Sequence, residues 1–177
     1  VMNVTIQKSI IAENIRTGYG LILWQRANNI SIIQNLFAHN TARCIESTTH
    51  NSSFEMINNI VYGNTSVTRL VYQNKGDIIN NYYKSAPYDS QRLETVRLEL
   101  GPSGENPEQT EVFIEGNELN GSDISISSKG TNNLYPFIKN APVLSSGSDI
   151  LSINELKQTL PSIVGSSMAR DNVDNRI

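Results

Sequence analysis

The chain has 177 residues, enough for one domain with a sizeable core. Hydrophobic residues make up 38% and charged residues 18%, the balance falling largely to Asn, Ser and Thr, which favours turns and polar ladders over amphipathic helices. A net charge of −3 gives no basis for binding nucleic acid or an anionic membrane, no apolar run reaches the roughly 18 residues of a membrane span, and the lone Cys44 excludes an internal disulfide framework.

In chain order, a nearly constant phrase recurs at residues 3–14, 29–40, 53–64, 76–84 and 111–121. Aligned on one polar position (Ser9, Asn35, Asn59, Asn81 and Asn117), the copies lie 26, 24, 22 and 36 residues apart. A period in the low twenties is too short for helix-pair repeats and suits one coil of a parallel β-helix, about five coils in all. No coil can bury its own apolar face, so the coils must stack. The aligned Asn is expected at a bend between strands, where it tolerates left-handed backbone angles and passes amide hydrogen bonds from coil to coil. Residues 20–24 and 69–72 add short β-rich runs between the phrases.

The widest gap, residues 85–110, reads as a loop insertion that contains one alternating strand at 95–100 and an exposed turn at 101–107 rich in Gly and Pro. Residues 1–145 therefore form the coils and residues 146–177 a capping helix and tail. The helix is predicted from capping-box spacing between Ser152 and Glu155 and the apolar pair Leu156 and Leu160, with Pro161 to kink or end it. The first phrase begins at residue 3 with no polar cap, so preceding coils or another chain are expected against that end.

The run from Asn35 through Leu36, Phe37, Ala38, His39 and Asn40 to Ala42 and Arg43, with residues 58–62 and 80–84, resembles the pectate lyases of the β-helical polysaccharide lyase group. The tail at 164–177, with Arg170, Asp171, Asp174 and Arg176, is similar to the closing segment of the bacterial members. The resemblance implies a right-handed parallel β-helix, secretion, and β-elimination on an acidic polysaccharide, with Ca²⁺ neutralising the uronate carboxylate. It also implies that Arg43 is the base that takes the C5 proton. The family's loop reads Arg-x-Pro-Arg; here Ile45 stands for the Pro and Glu46 for the second, substrate-holding Arg. The family's main Ca²⁺ carboxylates belong to earlier coils, and no residue of this chain matches them.

Tyr19 and Trp24 are candidate sugar-stacking residues, and His39 and His50, flanking the Arg43 loop, are candidate acids or sugar contacts. The other reading of the same repeats is a non-catalytic glycan-binding or structural β-helix, such as a tailspike or appendage component on a virion surface, because lyases and structural proteins share this fold.

Overall fold

Short runs of Ile, Val, Leu and Phe alternate inward and outward, and in the computed structural model each run is a strand paired with its equivalent one coil away. The structure describes residues 2–16, 18–24, 26–48, 52–63, 68–71, 73–87, 94–99, 109–130, 133–144, 147–166 and 168–172. His50 and the turn at 101–107 lie outside the described residues. The architecture is a parallel β-solenoid of about four turns with one short helix. The expectation of five coils counted the five stacked copies, and five levels are separated by four turns.

Three sheets run the length of the stack. Sheet A holds β1 (Met2–Gln7), β4 (Asn28–Ile33), β7 (Ser52–Ile57), β10 (Asn74–Ile79) and β13 (Glu111–Glu115), all parallel. Sheet B holds β2 (Ile10–Ala12), β5 (Leu36–Ala38), β8 (Ile60–Tyr62), β11 (Tyr82–Lys84) and β14 (Glu118–Leu119), closed by the antiparallel β15 (Ser122–Asp123). Sheet C holds β3 (Leu21–Leu23), β6 (Ile45–Ser47), β9 (Thr68–Val71), β12 (Val96–Glu99) and β16 (Ile126–Lys129). The strand expected inside the 85–110 insertion is thus β12, a full member of sheet C between β9 and β16.

Inward-facing residues stack in columns: Ile32 on Met56 on Ile78 from sheet A, Phe37 on Val61 on Tyr83 from sheet B, and Leu70 on Leu98 from sheet C, all buried. Gly76 makes room for its neighbour's ring, since a Cβ there would lie 3.1 Å from Phe54 Cε1. At the A-to-B bend the Asn column forms as the sequence predicts. Asn35 donates through Nδ2 to Asn59 Oδ1 at 3.0 Å, Asn59 to Asn81 Oδ1 at 2.9 Å, and Asn81 to Asn117 Oδ1 at 2.9 Å. Each Oδ1 also accepts the backbone N–H of the preceding coil's Asn. Ser9 joins only through its backbone N–H; its hydroxyl turns back to Gln7 O at 3.0 Å. The left-handed angle falls one residue earlier than expected, at Lys8, Gln34, Asn58, Asn80 and Gly116, because the turn residue before the ladder reverses the chain while the ladder Asn aims inward.

After the coils the chain returns along the outside. Val143 packs on Ile57, Ile79 and Phe113 of sheet A, and the backbone N–H groups of Val143 and Leu144 donate to the two carboxylate oxygens of Asp77 at 2.8 Å each. Leu151 N donates to Asn58 Oδ1 at 2.8 Å, and Leu151 O accepts from both Asn58 and Asn80. The chain then enters α1 (Ile153–Ile163), capped by Ser152 and Glu155 in the predicted box, with Pro161 in its last turn. Leu156 and Leu160 are fully buried against Ile60 and Leu36, so α1 covers the outward face of sheet B.

Candidate functional site

The sheet C register sets Ile22, Glu46, Arg69 and Arg97 in one outward column, while Leu70 and Leu98 point to the core. Arg43 lies in the turn from β5 into β6, held where Gly20 N donates to Arg43 O at 2.9 Å and Leu21 N to Cys44 O at 3.0 Å. Its side chain therefore reaches the rim of sheet C beside the preceding coil.

There Arg43 has two partners. Its Nη1 donates to the Tyr19 hydroxyl, and the guanidinium carbon lies 5.1 Å from the Tyr19 ring centroid. Its Nε stands 2.9 Å from Glu46 Oε2, an ion pair without the direction of a hydrogen bond. Glu46 Oε1 accepts from Arg69 Nη1 at 2.7 Å, and Arg69 Nη2 donates to Glu99. Arg97 extends the chain by pairing with Glu94 and standing 3.7 Å from Glu99. The Arg69 hydrogen bond holds the Glu99 carboxyl below the usual carboxylate range, and the same bond pushes the Arg69 guanidinium up. The result is a chain of opposite charges that runs across three successive coils, from Glu46 through Arg69 to Glu99 and Arg97.

The structure brings Tyr19 and Arg43 into contact. Trp24 follows buried Leu23 at the next outward position, 66% exposed, and Ile22 beside it is 42% exposed, so the first coil presents an apolar step next to the charged ladder. His39 sits at φ 54°, its ring 5.0 Å from that of Tyr62 at an angle of 74°, on the sheet B side of its coil. Cys44, next to Arg43, is fully buried, and burial pushes its thiol well up, which leaves it a core residue rather than a nucleophile. Sequence reasoning placed Glu46 only as a lost arginine and passed over Arg69 and Glu99. Their signal was opposite charges at outward positions of successive β-rich runs.

The described residues offer no set of ligands for the Ca²⁺ ion that the resemblance implies. Among the described residues no group of three or more His, Cys, Asp or Glu is placed to hold a metal. The carboxylates nearest Arg43 already serve guanidinium groups: both Glu46 oxygens face arginines, and Glu99 accepts from Arg69. No protein-family model matches the chain, and a comparison with curated proteins finds no relative. The class that stands is the parallel β-solenoid; the likeness to pectate lyases has no match behind it.

Proposed function

We propose that this chain is a glycan-binding β-solenoid whose sugar platform is the outward face of sheet C, with Arg43 a contact and positioning residue rather than a base. The observation that carries this reading is the engagement of Arg43. Its guanidinium is clamped between the Tyr19 hydroxyl and the Glu46 carboxylate, whereas a base at C5 needs a free lone pair and an open approach to the substrate proton. The exposed Trp24 and Ile22 offer a flat apolar surface for a sugar ring, and the guanidinium and carboxylate groups beside them suit hydroxyl recognition. Because Glu46, Glu94 and Glu99 offset the arginines of the ladder, the face has no strong field for a polyanion.

The test is affinity electrophoresis in gels containing neutral glucans, galactans or polygalacturonate. At least one polysaccharide is expected to retard the protein, and Trp24→Ala to weaken that retardation by about tenfold without changing the melting temperature. Absence of retardation by every polysaccharide would end the glycan reading. Release of C4–C5 unsaturated sugars from polygalacturonate with added Ca²⁺, abolished by Arg43→Ala, would replace it with the lyase reading.

A further inference from the structure

On the opposite side of the solenoid, α1 and sheet B meet through Leu156 and Leu160 and then part, leaving a cavity of about 390 Å³. Its floor is Leu36 and Ile60, and Tyr62, Tyr82, Lys84, Lys157 and Arg170 line it. That volume suits one ring-sized ligand.

Three cations converge here in a chain whose net charge is −3. Lys157 is satisfied, with Nζ 2.7 Å from Glu118 and 4.3 Å from the Tyr82 ring centroid. Lys84 Nζ lies 5.7 Å from the Tyr62 centroid, and no carboxylate among the described residues stands within ion-pair distance of it. Arg170 donates through Nη2 to Pro161 O at 2.6 Å and Val164 O at 3.1 Å, which fixes the guanidinium at the end of α1 and leaves its charge without an anion among the described residues. Two positive charges therefore face one mostly apolar space walled by tyrosine rings. Apolar walls select a ring, and unneutralised cations select an anionic substituent.

We infer that the cavity between α1 and sheet B binds a small carboxylate carried on a ring, either an aromatic acid or a sugar acid. The carboxylate is received by Lys84 and Arg170, and the ring lies on Leu36 and Ile60 between the two tyrosines. This site is independent of the sheet C platform and does not rest on the glycan reading.

Titration calorimetry with 4-hydroxybenzoate, galacturonate and the neutral 4-hydroxybenzamide tests it. One of the two acids is expected to bind saturably with a Kd below about 1 mM, and the amide at least about tenfold more weakly. Which acid binds distinguishes the aromatic from the sugar source. Lys84→Gln is expected to weaken the acid by about tenfold with an unchanged melting temperature, and Trp24→Ala to leave it unaffected. The inference is overturned if neither acid binds saturably, if the amide binds as well as the acids, or if Lys84→Gln and Arg170→Gln both bind undiminished. The amide comparison uses the unaltered chain and so holds whatever the variants do to folding.

Discussion

Two polar columns climb this solenoid, one inside at the A-to-B bend and one outside on sheet C, and they solve the same problem with different chemistry. The inner column repeats a single residue, because an amide carries donor and acceptor together and can pass both to an identical copy above. The outer contacts must alternate, Glu46 to Arg69 and then diagonally to Glu99, two residues along from the register position that Arg97 holds, because a carboxylate only accepts and a guanidinium only donates. Burial separates the two: Asn59 and Asn81 have no solvent contact, so every unmet bond would be lost outright, whereas the outer side chains keep 10% to 19% exposure and leave Glu46 Oε2 and Arg69 Nε without a hydrogen bond, held by charge alone. The inner column specifies register and the outer one decorates a surface.

The comparison is broken most severely at its centre. Asn59→Ala strips partners from the backbone N–H and amide of Asn35 and from the carbonyl of Ile32, and is expected to cost roughly 3–5 kcal/mol in denaturant unfolding. Ser9→Ala, at the end of the same column, is expected to stay within about 0.5 kcal/mol, since its hydroxyl reaches only Gln7 O. A cost at Ser9 comparable to that at Asn59 would show that the ladder acts through turn conformation rather than through its hydrogen bonds. Outside, Arg69→Met is expected to cost about 1–2 kcal/mol, read from the same unfolding curves, because it leaves Glu46 and Glu99 facing each other without their shared partner.

Titration sharpens the contrast further. Glu99 has a folded-state affinity for protons lower than in the unfolded chain, so its contribution to stability is present above its unfolded value and lost as pH falls through the folded one. Arg69→Met should flatten that acid limb in melting temperature against pH. Asp77, under the returning chain, runs the other way. Burial raises its carboxyl more than the Val143 and Leu144 N–H donors lower it. Its contribution is therefore full below the unfolded value and fades as pH rises through the folded one, and Asp77→Asn should remove the fade. A melting temperature that rises with pH for both variants would contradict this opposition.

Much of the fold was legible because the repeat obliges it. A low-twenties period, an Asn at each bend and alternating apolar runs are local, and each follows from stacking. The capping box at Ser152 was legible for the same reason. What the sequence did not show was the partner of each outward residue. Glu46 reads as the loss of a substrate arginine until sheet C places Arg69 beside it, 23 residues on, and the partners of Arg43, Tyr19 and Glu46, appear only once the coils are stacked. The left-handed turn position moved by one residue because Lys8 and Gln34 adopt it without a composition that announces it. The α1 cavity was invisible too, since Lys84 and Arg170 meet only after the chain has crossed two sheets.

The returning segment has a bearing on the order of events during synthesis. Coil contacts along the Asn column join residues 22 to 36 positions apart, so each turn can close on the last as it leaves the ribosome. The latch of Leu151 onto Asn58 spans 93 positions and cannot form until the coils it binds already exist. The outer faces of sheets A and B, with Ile57, Ile79 and Ile60, therefore stay uncovered until Val143, Leu156 and Leu160 have been made. That interval is when a nascent copy is most open to pairing with its neighbour, and when a holding chaperone would find its target.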